Sequence, residues 1–155
     1  MSILNTTVQG KDIKASAPST GASIGRILWG MFFIVSSIIN LVITLPHPVL
    51  YRSFAELTFF PFYSRLLLSV AFPNAYLITG LVVIFELVVG VLILCKKAAV
   101  QWGLIFSAFW LLFVFPSMGW YTIFSPIFII IPWSIGRYRY DRSALDLILR
   151  RGKNE

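Results

Sequence analysis

The chain has 155 residues, of which 58% are hydrophobic and only 12% charged. A soluble domain carries roughly 25% charged residues, so a water-facing exterior cannot be built from this composition. An ordinary soluble enzyme, a disordered chain and a disulfide scaffold are all excluded.

The net charge is +7, from 13 Lys and Arg against 6 Asp and Glu. The cations lie outside the apolar runs rather than along one amphipathic face. That suits the anionic inner surface of a membrane and excludes nucleic acid as the partner. One cysteine, Cys95, allows no internal disulfide and no Cys-x-x-Cys pair. One histidine, His47, cannot supply paired haem ligands or a His-rich metal site.

Residues 1–23 are rich in Ser, Thr, Gly and Lys and hold no aromatic residue. They read as a disordered cytosolic tail without the apolar core of a secretory signal. Residues 24–139 read as one membrane domain with spans at about 24–45, 75–95, 98–115 and 120–136. Each span approaches the 20 or so apolar residues that a helix needs to cross the hydrocarbon. Pro46 and Pro48 stop the first, Lys96 and Lys97 separate the second from the third, and Pro116 ends the third. The fourth carries Pro126 and Pro132, tolerable where neighbouring helices cover the freed carbonyls. Trp102, Trp120, Trp133, Tyr121 and Tyr138 fall near the expected ends, as an interfacial aromatic belt does.

Val49 to Phe72 is too interrupted to cross, with Arg52 and Glu56 one turn apart and a break at Pro61. It reads as a helix in the outer interface or dipping into the bundle mouth. Residues 140–155 read as a cytosolic amphipathic tail, with Ser143 capping a short surface helix. Lys and Arg crowd the tails and the Lys96-Lys97 turn, so the positive-inside rule puts both termini in the cytoplasm. The expected fold is all-α: a transmembrane four-helix bundle with an interfacial outer-loop helix and a short C-terminal surface helix.

Glu86 is the residue that this composition does not explain. An acid at the bilayer centre costs about 2.5 to 3.5 kcal/mol on insertion scales, so it must face the bundle and find a partner. Its face holds Thr79, Val83, Gly90 and Ile93, and Gly90 permits close approach. Two roles are open: a structural lock hydrogen-bonded to Asn40, Ser36 or another span, or a group that handles a proton, a cation or a quinone oxygen. On the first span Gly30, Ser37 and Thr44 recur every seven residues, with Phe33 and Asn40 on the same stripe. Arg26, at the entrance, reads as a snorkelling anchor or as the partner of an acid at the cytosolic mouth. Glu86, Arg26, Asn40, Gly90 and Gly30 are therefore the candidate residues for ligand or proton handling, with no catalytic or metal-binding set.

Arg26-Ile-Leu-Trp-Gly30-Met-Phe-Phe33 resembles the R-x-x-x-G-x-x-F opening of the DoxX-like membrane proteins. Glu86-Leu-Val-Val-Gly90 resembles the E-x-x-x-G signature in the second helix of that family. The similarity covers about Ile24 to Arg139, with Ser37 and Asn40 standing where many members carry Gly and Lys. It implies a four-helix membrane bundle, often linked to redox processes and in some members to thiosulfate:quinone oxidoreductases. With one Cys, one His and no nucleotide-binding glycine loop, no covalent cofactor is expected; an oxidoreductase role would need a bound, diffusible quinone or a partner subunit. The chain is then expected to be a non-autonomous subunit of a quinone-linked redox system in the cytoplasmic (inner) membrane, not an enzyme on its own. Its partners would be the lipid bilayer and a second protein subunit or further copies of itself. The alternatives are a small proton-coupled transporter using Glu86 as a homo-oligomer, and a structural membrane scaffold.

Overall fold

The computed structural model describes residues 18–117, 119 and 125–151, and every regular element among them is helical. Helix α1 (Thr20–Ile39) begins at Ser19, whose side-chain oxygen accepts from the Ala22 N–H at 3.1 Å. That N-cap satisfies one of the donors that a helix start leaves free. The first turn of α1 thus takes residues 20–23, which composition alone assigns to the tail. Residues 1–17 of that expected tail lie outside the described residues.

At its far end α1 widens into a π turn at Asn40–Thr44, where the Leu45 N–H donates to Asn40 O at 2.8 Å. Two short helices follow: α2 (Leu50–Leu57) and α3 (Pro61–Leu66), the latter running into a second π turn at Leu67–Ala71. Pro61 takes the first position of α3, where its missing N–H costs nothing. Then come α4 (Ala75–Leu94), α5 (Ala98–Val114), α6 (Ser125–Gly136) and α7 (Ala144–Arg151).

The stretches Thr20–Thr44, Ala75–Leu94 and Ala98–Ser117 are each long and apolar enough to cross a membrane. The fourth expected span differs. Its described part, α6, has 12 residues and reaches about 18 Å at 1.5 Å per residue. Residues 120–124, including the belt residues Trp120 and Tyr121, lie outside the described residues. Trp102 and Trp133 are exposed. So are the apolar side chains on the outer faces: Leu28 is 65% exposed, Ile84 61% and Phe109 69%. Faces of this size and chemistry suit hydrocarbon rather than water.

Packing runs round a ring: α1 lies on α4, α4 on α5, α5 on α6, and α6 returns to α1. Trp29, Phe33, Val89, Ile93, Val100 and Leu104 fill the middle. The contact between α1 and α4 is closest at two glycines. A Cβ built on Gly90 would stand 2.9 Å from Gly30 O and 2.7 Å from Ile34 Cγ1. One built on Gly30 would stand 2.8 Å from Leu94 and 3.2 Å from Gly90 O. Only hydrogen fits at either position, so the two backbones touch.

The segment after α1 does not lie flat on the surface. Tyr51, Ala55, Leu67, Ala71 and Ala75 form a second buried cluster that seats α2 and the second π turn on the start of α4. Thr58 donates to Pro116 O, and the Tyr63 hydroxyl donates to Phe113 O at 2.6 Å. These bonds hold the segment over one mouth of the bundle. At the opposite end Ser143 caps α7 reciprocally, donor and acceptor exchanged with Asp146 at 3.1 Å each way.

The glycine contact makes a paired prediction. Gly90→Ala overpacks the α1–α4 contact and lowers unfolding stability in detergent by about 1 to 3 kcal/mol. Gly80→Ala meets nothing within 4 Å and raises stability by about 0.5 to 1 kcal/mol through helix propensity. Thermal melts followed by circular dichroism separate the two, and equal shifts would contradict the glycine contact.

Candidate functional site

Glu86 sits on the buried stripe of α4, with Ala75, Thr79, Val89, Gly90 and Ile93, and is 5% exposed. Its carboxyl is held from two sides. Asn40 Nδ2 donates to Oε2 at 2.8 Å, and Trp110 Nε1 donates to Oε1 at 3.2 Å. The Thr44 hydroxyl donates to Asn40 Oδ1 at 2.9 Å, which turns the amide so that its NH2 faces the acid. The π turn that begins at Asn40 brings this side chain round to α4; π turns often sit at functional positions. Nearby, Ser37 Oγ donates to Val83 O at 2.9 Å, tying α1 to α4 one turn below Glu86.

Glu86 borders a cavity of about 1040 Å³. Asn40, Ser36, Thr44, Tyr51 and Trp110 supply its polar wall, and side chains such as Phe32, Ile39, Leu67, Ile78, Val82 and Leu111 its apolar one. Helices α2 and α3 roof it through Phe54, Leu57 and Tyr63. The Tyr51 hydroxyl shares a hydrogen bond with Thr79 Oγ1 at 3.0 Å, which ties the roof to α4. Such a cavity, large and apolar with a few convergent polar groups, is the usual form of a small-molecule site. Two donors fix the carboxyl in place, and its free lone pairs or its proton remain for a ligand.

Of the five candidate residues, the structure brings Glu86 and Asn40 together. Gly30 and Gly90 meet each other instead, and serve the helix contact. Arg26 lies apart, fourteen residues from Asn40 along α1, or about 21 Å.

Arg26 differs from the snorkelling anchor that its position predicts. It is 0% exposed. Its Nη1 donates to Cys95 O at 3.1 Å and Arg142 O at 3.2 Å, and its guanidinium lies 4.4 Å from the Tyr140 ring centroid. Cys95 is the C-cap of α4, so a cation meets the negative end of a 20-residue helix dipole. Cation–π contact with Tyr140 adds to the hold. Nε and Nη2 are buried and have no hydrogen-bond partner among the described residues.

Trp110 was not among the expected residues, yet it completes the Glu86 site. A signal was available. Trp110 and Trp29 stand inside predicted spans rather than at their ends, and a buried indole N–H must find an acceptor. Trp29 finds Ser107 Oγ at 3.2 Å, and the Ser107 hydroxyl donates in turn to Leu104 O at 2.8 Å. His47 is exposed and its ring nitrogen Nδ1 bonds Ile43 O at 2.8 Å. Cys95 is a free, half-buried thiol. Among the described residues no group of three or more His, Cys, Asp and Glu could hold a metal ion.

Tyr140, 2% exposed and just beyond α6, makes the basic end sensitive to alkali. Burial pushes its hydroxyl up from the ordinary 10.0 to about 12, opposed by the Arg26 guanidinium and helped by Tyr138. The neutral phenol is therefore favoured in the fold. Its contribution to stability is complete below pH 10 and is lost as pH rises toward 12, because the unfolded chain ionises first. Melts between pH 9 and 12 should fall steeply for the native chain and less steeply for Tyr140→Phe. A residual slope belongs to Tyr63, whose hydroxyl burial also pushes up; identical slopes in the two proteins would contradict the account.

Comparison with protein-family models, with curated proteins and with solved structures finds no match for this chain.

Proposed function

We propose that this chain is an integral membrane protein of DoxX type whose Glu86 cavity receives the head of a quinone-type lipid. It is a four-helix transmembrane bundle, α6 providing the fourth crossing, with both termini in the cytoplasm of a bacterial cell. It works as a non-autonomous partner of a membrane redox system. The observation that carries this reading is a carboxyl fixed by Asn40 and Trp110 on the wall of an otherwise apolar cavity of about 1040 Å³.

The chemistry suits that ligand. A quinol hydroxyl donates to a lone pair that Asn40 and Trp110 leave free, and a protonated Glu86 donates to a quinone carbonyl. One carboxyl serves both forms by holding or releasing a single proton. The apolar wall takes the ring and the start of the tail. Electrons must come from a partner subunit, since one Cys and one His furnish no thiol pair or haem of the chain's own.

Nothing favours the transporter alternative in the same way. Polar groups continue from Glu86 through Asn40 to Thr44 on one side. On the other side the Gly30–Gly90 contact and buried Phe33 and Val89 close the bundle. A single-ended site is built for binding, not for exchange across the bilayer.

Titrating the purified protein with a short-chain ubiquinone analogue, with indole fluorescence as the signal, tests the proposal. Saturable quenching at one equivalent per chain is expected. Glu86→Gln should weaken it by about threefold to tenfold, because the amide has one oxygen for the two donors Asn40 and Trp110 and its NH2 is forced against one of them. Trp110→Phe should remove most of the quenching. Unsaturable quenching, or equal affinity in Glu86→Gln, would sink the proposal.

A further inference from the structure

A second cavity, of about 530 Å³, opens at the other end of the molecule, between the start of α5 and the end of α6. Lys97, Arg137 and Arg139 line it with Gln101 and Tyr138, and Asp141 is the one acid on its wall. Three cations against one anion leave a surplus of two positive charges.

The backbone of this cavity is shaped to keep its negative groups occupied. Gln101 Nε2 donates to Gly136 O at 3.1 Å and to Tyr138 O at 3.2 Å. The Lys97 N–H donates to Tyr140 O at 2.7 Å. Three carbonyls that would repel an anion are thereby engaged. Lys97 is held at φ 57°, a left-handed conformation unusual for a lysine, in the tight turn between α4 and α5. Its strained backbone and the two-pronged Gln101 amide fix the wall on which the cations stand.

The depth of the cavity says what it meets. Trp102 follows Gln101 on α5, and Trp133 precedes Gly136 on α6 by three residues; both are exposed. Exposed tryptophans mark the level of lipid headgroups. Basic pockets between membrane helices at that level take anionic headgroups. We infer that the Lys97–Arg137–Arg139 cavity binds the phosphate of an anionic phospholipid, whose tails run along α5 and α6. The inference rests on the membrane placement proposed above but not on the ligand at Glu86.

Native mass spectrometry of the full chain, purified in detergent with phosphatidylglycerol or phosphatidylcholine added, counts the lipids retained. One phosphatidylglycerol per chain is expected, with no phosphatidylcholine held equally. Lys97→Gln with Arg139→Gln should weaken retention about 30-fold, at about fivefold for each of two charges near the surface. Lys97→Arg with Arg139→Lys keeps both charges and should retain the lipid, which separates lost binding from lost folding. Arg52→Gln with Arg65→Gln, in the α2–α3 segment, and Glu86→Gln should leave the count unchanged. Equal retention by the neutralised double variant, or equal loss in the Arg52 and Arg65 control, overturns the site. Displacement of the lipid by inorganic phosphate at comparable concentration overturns the lipid as its source. A failed quinone titration with intact lipid retention would remove only the Glu86 proposal.

Discussion

Where Gly30 meets Gly90, α1 and α4 touch backbone to backbone, and much of the site geometry depends on that contact. In hydrocarbon the association of helices draws on close packing and interhelical hydrogen bonds rather than on the hydrophobic effect. Removing two side chains lets the helix axes approach until a short side chain on one helix reaches the other. Ser37 then reaches Val83 O, and Asn40 reaches Glu86. A larger residue at either glycine would separate the helices, and both hydrogen bonds would lengthen. The acid is thus satisfied because two glycines, one on each helix, are small.

Glu86 and Arg26, the buried acid and the buried base among the described residues, solve the same problem differently. Glu86 accepts from two neutral donors and keeps a face toward a cavity. Arg26 hydrogen-bonds no acid among the described residues; it lies on the C-terminal carbonyl of α4, on a second carbonyl and over the face of a tyrosine. Carbonyl oxygens at a helix end and an aromatic face are both partial negative charges, so a guanidinium can be buried against them without a full counter-ion. Arg26 thereby fastens α1, α4 and the segment after α6 at one point. A lysine, with a compact charge and no planar fork, could not span the same set of partners.

Much of the helical content was legible because hydropathy and proline position are local properties. Three apolar stretches fall where they were expected, and the α4 stripe of Thr79, Glu86, Gly90 and Ile93 is the buried one. The pairing of Glu86 with Asn40 was among the alternatives because an acid in hydrocarbon must find a partner and few polar residues were within reach. Trp110 was missed because a tryptophan in an apolar run reads as bulk until its N–H is asked for an acceptor. The π turns at Asn40–Thr44 and Leu67–Ala71 leave no mark in hydropathy. Arg26 was misplaced in depth for a related reason. Spacing puts it at a helix entrance, but only the fold shows that Tyr140 and the Arg142 carbonyl close over it from more than a hundred residues away.

The two ends of the molecule differ in how they treat polar backbone, and that difference argues for two separate sites. Around Glu86 the side chains carry the polarity, and α2 and α3 close the mouth, so a ligand there is desolvated and its hydrogen bonds strengthened. Around Lys97 the carbonyls are occupied by Gln101 and by a backbone N–H, and the cations stay exposed. Charge at an exposed site is screened by salt within about 10 Å, so it acts on what is already at the surface rather than at a distance. A roofed carboxyl suits a guest that must leave water, and an open basic rim suits one that never does. The ring of helices holds these two environments apart because its middle, from Trp29 to Ile93, is apolar and packed.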